Sequence, residues 1–187
     1  MALTLSDIEK LFADRGAEQY TGEPVTQLEH ALQSALLAEQ EGASDALVTA
    51  ALLHDLGHLL HDLGPSPTLQ GIDDVHQYRA LPFLRGLFGD DVIEPIKLHV
   101  DAKRYLCAVR PGYFAELSDD SKRSLGLQGG IYNEEQAQAF ISQGGAADAV
   151  RLRIWDDLAK TAGLPTPPLT HFLERARRCA LPAGTAQ

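Results

Sequence analysis

Apolar residues recur along this chain at intervals of three and four, and β-branched clusters bounded by turn residues are scarce, so the periodicity predicts an all-α fold. A first short helix is expected over residues 5–12, then a loop from Tyr20 to Pro24, where the proline hands the chain on to the next helix. Thr26 and Glu29 have capping-box spacing, and Leu28, Ala31, Leu32, Ala35 and Leu36 form one stripe of a second helix that stops near Gly42. From Ser44 the pattern changes. Residues 46–60 are apolar around nearly the whole circumference, which marks a central helix, capped by Ser44, that runs to about Asp62 and ends at Gly64-Pro65. Residues 65–74, rich in Pro, Gly and Thr, read as a loop suited to walling a pocket. Further helices are expected over residues 75–87, 92–100, 102–109, 118–125, 133–142, 146–161 and 170–179, the last set apart by three prolines between Gly163 and Pro168. There is no internal repeat, and residues 182–187 read as a frayed end.

One interruption of the apolar pattern carries chemistry. His54 and Asp55 stand side by side within the greasy run from Ala50 to Leu60. Neighbouring helical residues point about 100° apart, so both reach one ion only if it sits astride the ridge between them. A buried carboxylate without a partner costs several kcal/mol, so the pair suits a metal and suits a plain core badly. His58, one turn beyond His54, adds a third polar group on the same face. His30, His76, His99 and Asp156 lie where they can converge on the pair, so four helices would donate ligands to one bundle core. A single ion is satisfied by His30, His54, Asp55 and Asp156. His58, His76 and His99 exceed what one site uses and point to two ions, with Asp55 placed to bridge them. Ligation by nitrogen and oxygen without thiolate fits Fe, Mn, Zn or Ni better than Cu(I) or an iron–sulfur cluster. His61 and His171 read as solvated surface residues, and Asp73 and Asp74 as solvated loop carboxylates.

Length and charge narrow the picture. The 187 residues suit one domain spanning 1–187. A net charge of -10, with no Lys/Arg-rich stripe, argues against a nucleic-acid partner. Cys107 and Cys179 have neither metal-finger nor Cys-x-x-Cys spacing, no apolar run approaches the ~18 residues that span a bilayer, and no leader pattern opens the chain; a cytoplasmic protein with no membrane partner is expected. Lys103 and Arg153 lie one turn from His99 and Asp156, on the metal-facing sides, and would make the site locally positive for an anionic ligand.

The order His30, His54-Asp55, Asp156 resembles the HD-domain superfamily, whose usual members are metal-dependent phosphohydrolases. A narrower resemblance rests on Tyr20-x-x-Glu23, Gln27-Leu-Glu-His30, His54-Asp55-x-x-His58, His99-x-x-Ala-Lys103-Arg104-Tyr105-Leu106, Leu117-Ser118 to Ser121, Gln128-Gly129-Gly130 and Arg153-x-Trp155-Asp156. Together these resemble the HD-domain mixed-valent di-iron oxygenases of organophosphonate catabolism. The resemblance implies an HD helical bundle holding two iron ions, Fe(II) and Fe(III), which uses O2 to cleave the C–P bond of a 1-hydroxy-2-(amino or trimethylammonio)ethylphosphonate, giving phosphate and glycine or glycine betaine. It further implies one iron on His30, His54, Asp55 and Asp156 and another on Asp55, His76 and His99. Tyr20 and Glu23 would belong to a mobile loop over the site, with Glu23 facing the amino end; Lys103, Ser121, Ser124 and Arg153 would hold the phosphonate with His58 nearby. Relatives of this kind usually act after a separate hydroxylase. The competing expectations are a metal-dependent HD phosphohydrolase of a phosphate ester and a non-catalytic HD module that senses a phosphorylated ligand.

Overall fold

The computed structural model describes residues 3–20, 22–60 and 67–182. Among them the regular structure is helical, with only two isolated bridges, Gln19 to Thr26 and Phe88 to Ala180. The first helix, α1 (Leu5–Arg15), and the second, α2 (Gln27–Gln40), both open on capping boxes, Thr4 with Asp7 and Thr26 with Glu29, so each N-terminus satisfies its orphan N–H groups locally. The central α3 (Asp45–Leu53) is capped by Ser44 and buries eight of its nine residues, Ala46 to Leu53. A helix with no polar face must be enclosed. Accordingly α3 packs against α2, α6 (Asp90–Val109), α10 (Ala146–Leu158) and α11 (Leu169–Cys179). Each fully buried Leu or Val here contributes about 1.5–3 kcal/mol relative to exposure.

The long α6 and α10 lie against one another and carry the core beyond α3. One satellite cluster joins Leu98 and Ala102 of α6 to Phe140 of α9 (Glu134–Ile141) and Ala146 and Ala149 of α10. A second joins Leu106 to Tyr113 of α7 (Tyr113–Glu116), Leu117 and Leu125 of α8 (Asp119–Leu127). Among the described residues between α3 and α6 lie two short 3-10 segments, Leu56–Leu60 and Pro67–Gln70, and two single-turn helices, α4 (His76–Arg79) and α5 (Leu81–Leu84).

Several element boundaries differ from the sequence reading: α1 runs on to Arg15, α10 stops at Leu158, α7 is additional, and three further differences bear on the site. The central α-helix stops at Leu53, with His54 as its C-cap, and the chain tightens into the 3-10 turn, where His58 N–H donates to the Asp55 carbonyl at 2.9 Å. The expected continuation to Asp62 and Gly64-Pro65, like His61, falls outside the described residues. The helix expected over 75–87 is split into α4 and α5, because Pro82 starts a new turn without an N–H to offer. Conversely, the two helices expected over 92–100 and 102–109 are one. Asp101 resembles an N-cap for Ala102, but its carboxylate instead accepts from Tyr132 Oη at 2.7 Å, so α6 runs through.

Candidate metal centre

Gly57 lets the 3-10 turn that follows α3 lie directly against α4. A Cβ at this position would stand 2.1 Å from the His76 carbonyl oxygen, so only glycine lets the turn after Asp55 press against the start of α4. His76 is delivered from the other side by a strained turn: Val75, β-branched, sits at φ 48° in the left-handed region, a cost of about 1–3 kcal/mol. The Asp73 carboxylate accepts from the Val75 N–H at 3.2 Å, and Arg79 Nε donates to the Asp74 carbonyl at 2.6 Å, holding the turn in place.

These elements bring all six expected ligands together, every one buried. His30 comes from α2, His54 and Asp55 from the end of α3, His76 from α4, His99 from α6 and Asp156 from α10. The two Asp55 oxygens face different pairs of imidazoles. Oδ2 lies 3.5 Å from His30 Nε2 and 3.4 Å from His54 Nε2, whereas Oδ1 lies 3.3 Å from His76 Nε2 and 3.6 Å from His99 Nε2. Asp156 flanks the first pair, with Oδ1 at 3.5 Å from His30 Nε2 and Oδ2 at 3.9 Å from His54 Nε2.

The hydrogen bonds on the far side of each ring decide what this cluster can hold. Nδ1 of His30, His54 and His99 faces the carbonyl of Ala159, Ala51 and Ile96 at 2.9, 2.8 and 2.7 Å, and Nδ1 of His76 faces Asp74 Oδ1 at 2.9 Å. Carbonyls and carboxylates only accept, so each Nδ1 carries a hydrogen and each ring turns its Nε2 inward. The Nε2 atoms face one another, at 3.3 Å for His30 and His54 and 3.1 Å for His76 and His99. The buried Oδ1 of Asp156 has no hydrogen-bond partner. Convergent ring nitrogens and an orphaned carboxylate oxygen call for cations, and the donor set fits two of them bridged by Asp55. Burial pushes His30 and His99 down to about 4, so both are neutral and ready to ligate. Burial opposes the charge on His54 too, but Asp55 overrides it and raises the group to about 9. This ring thus carries the proton that a metal would displace.

Cationic and hydroxyl side chains adjoin the cluster. A small inner cavity is lined by Asp55, His58, Lys103, Ser121, Ser124 and Arg153. Lys103 Nζ donates to Ser124 Oγ at 2.7 Å, and burial, reinforced by Arg153, lowers its pKa to about 7. Arg153 bonds Asp156 Oδ2 at 2.7 Å and also Asp157, which in turn accepts from Tyr113. Ser121 receives the Ser118 hydroxyl at 3.2 Å at the start of α8. Tyr20 stacks on His30 with ring centroids 4.0 Å apart and donates its hydroxyl to Asp55 Oδ2 at 2.8 Å; burial, and then Asp55, holds the phenol neutral. Glu23 lies in an adjoining outer cavity with Tyr20 and His58.

The expectation that Asp74 is a solvated loop carboxylate is corrected. It is buried and joins two imidazoles, with Oδ1 at 2.9 Å from His76 Nδ1 and Oδ2 at 2.7 Å from His58 Nδ1. Its position two residues before His76 was the available signal, since ligating histidines commonly lean on a carboxylate. His58 is therefore not on a continuing helix face but in the 3-10 turn, reaching Asp55 Oδ1 at 3.8 Å. His171 is exposed as expected, and bonds Glu39 at 3.0 Å. Sequence reasoning also missed Gln128 as a cavity residue, whose buried Oε1 has no partner, together with Thr68, Asp120 and Lys160.

No protein-family model matches the chain. It is 42% identical over 176 residues, 94% of its length and 87% of the relative's, to the hydroxymethylphosphonate dioxygenase of Gimesia maris. It is 38% identical over 168 residues, 90% of its length and 86% of the relative's, to the [1-hydroxy-2-(trimethylamino)ethyl]phosphonate dioxygenase (glycine-betaine-forming) of Leisingera caerulea. The chain belongs to this family of phosphonate dioxygenases. The all-α HD-type bundle and an oxygenase activity follow for it from that membership and from the fold above. The buried His/Asp groups of this dioxygenase-family protein could hold metal ions, and no described helix is long and apolar enough to cross a membrane.

Proposed function

We propose that the protein uses O2 to cleave the C–P bond of a 1-hydroxyalkylphosphonate at a mixed-valent pair of iron ions. The observation that carries this reading is Asp55, whose two oxygens serve separate pairs of inward-facing imidazoles directly beside Lys103 and Arg153. The named substrates of the two relatives share a hydroxyl and a phosphonate on one carbon, which supports the same unit here. His30, His54, Asp55 and Asp156 would hold one iron and Asp55, His76 and His99 the other; bound there, the pair supplies oxygen activation and the electrons exchanged with it.

The chain's own residues supply placement. Lys103, Ser121, Ser124 and Arg153 bind the phosphonate oxygens, and their charge offsets the acidity of the whole protein at this one place. His58, held by Asp74 and stacked on His76, would lie near the bound phosphonate. Tyr20 closes the opposite side and keeps bulk water from the cluster. The balance is one phosphonate dianion and one O2 giving a carboxylate, a hydrogen phosphate dianion and a proton: the C–P bond, one C1–H bond and the O–O bond break, one C–O and one P–O bond form, and O2 takes up the four electrons that carbon gives up. A separate hydroxylase would supply the C1 hydroxyl.

Iron-loaded protein given a 1-hydroxyphosphonate is expected to consume O2 and release phosphate in equal amounts, and to release none under nitrogen. Phosphate release from an ordinary phosphomonoester that continues without O2 would overturn the reading in favour of hydrolysis.

A further inference from the structure

The outer cavity adjoins the inner one and shares Tyr20, His58, Thr68, Asp120 and Ser121 with it, so on the reading above it would receive a substituent on C1; its charge and ring surfaces are already taken. Glu23 Oε1 pairs with Lys160 Nζ at 3.1 Å, both side chains largely sequestered at 12% and 14% exposure. The other two carboxylates lining it are also committed, Asp74 to His58 and His76, and Asp120 to Thr68 and Arg123. Its two described aromatic rings are stacked, Tyr20 on His30 and His58 on His76. The Lys160 ammonium itself lies 6.0 Å from the Tyr20 ring centroid, the range at which a cation is held by an aromatic face.

Both ends of the Glu23–Lys160 pair are built in. Lys160 follows the C-cap of α10, whose Ala159 carbonyl bonds His30 Nδ1 at 2.9 Å; on its other side Thr161 exchanges two hydrogen bonds with the Gln33 amide, at 2.8 and 3.0 Å. The loop carrying Glu23 is closed by Glu23 N–H to the Tyr20 carbonyl and Tyr20 N–H to the Val25 carbonyl, each at 3.0 Å. A tethered cation on a fixed backbone outcompetes a dissolved one for the same carboxylate, because its ordering cost was met in folding.

We infer that Lys160 occupies the cation subsite of this pocket and makes the protein specific for a 1-hydroxyphosphonate without a cationic substituent, of which hydroxymethylphosphonate is the simplest. This rests on the dioxygenase reading above and narrows it. With that substrate the products are formate and hydrogen phosphate, one O2 being consumed and one proton released. A substrate ammonium would meet the Lys160 charge and no unpaired carboxylate among the described lining residues.

The test compares hydroxymethylphosphonate with 1-hydroxy-2-aminoethylphosphonate and its trimethylated form on the iron-loaded full chain, with Lys160→Met and Lys160→Arg alongside. Wild type is expected to favour hydroxymethylphosphonate in kcat/KM by at least about tenfold; Lys160→Met, which frees Glu23, moves that ratio about tenfold or more toward the cationic substrates, and Lys160→Arg keeps the wild-type order. Calorimetric binding under nitrogen is expected to follow the same order without turnover. A wild type that takes a cationic substrate equally well or better, or a ratio that Lys160→Met leaves in place, overturns the inference while the dioxygenase reading stands. Failure of all three compounds to release phosphate with O2 sinks that reading and the inference with it.

Discussion

Lys103 shows how one side chain is set for its task by its surroundings. It is buried, beside Arg153, and its pKa falls to about 7, so near neutrality it is poised between an ammonium and an amine. A phosphonate dianion binds the ammonium form. Protonated Lys103 is present below pH 7 and lost above it, so substrate affinity should weaken as pH rises, by up to about tenfold per pH unit, and Lys103→Met should flatten that limb. A KM measured from pH 6 to 9 checks this; an unchanged alkaline limb in the variant contradicts it. Lys103 was legible in the sequence because it lies one turn from His99 on the same helix. Lys160 was not, since its partner Glu23 is 137 residues away and nothing local distinguishes it from a solvated lysine. Asp74 was passed over for a related reason: a carboxylate in a Gly- and Pro-rich stretch reads as loop surface until the fold brings His58 to it.

Among the elements, the decisive one is the short turn after α3. Six candidate ligands from four helices and this junction were readable from residue type and order, yet the way they meet depends on α3 ending at Leu53 rather than continuing. Periodicity could not reveal that end, because Leu56, Leu59 and Leu60 continue an apolar run that suits either an α-helix or a 3-10 turn. Gly57 is what lets that turn lie against α4, and it yields a specific expectation. In Gly57→Ala the new methyl collides with the His76 carbonyl, so the turn and α4 separate, and Asp55 loses its second pair of imidazoles. Affinity for the second metal ion should fall at least about tenfold while far-ultraviolet circular dichroism stays close to wild type. Metal titration checks it; a variant that binds as wild type does would mean the turn has slack that the close contact denies. The merging of the two expected helices into α6 teaches the complementary lesson: Asp101 has the chemistry of a cap, but Tyr132 claims it.

At the scale of the whole molecule, a chain of net charge -10 surrounds a core whose centre is polar, with α3 enclosed by four helices and its last turn opened onto imidazoles and carboxylates. The all-helical architecture and the convergence of the candidate ligands were legible because both rest on residue type at helical spacing. The pairing of ligands into two groups was legible only as a surplus of histidines, and the geometry around Asp55 turns that surplus into two facing pairs. Everything proposed about oxygen, phosphonate and specificity requires both groups to be filled. The most direct measurement is the iron content of protein reconstituted under nitrogen, for wild type and for His99→Ala. About two iron ions per chain are expected in the wild type and about one in the variant, which keeps His30, His54, Asp55 and Asp156. A wild type that holds one ion or none, or a variant that holds as much iron as the wild type, would contradict the account.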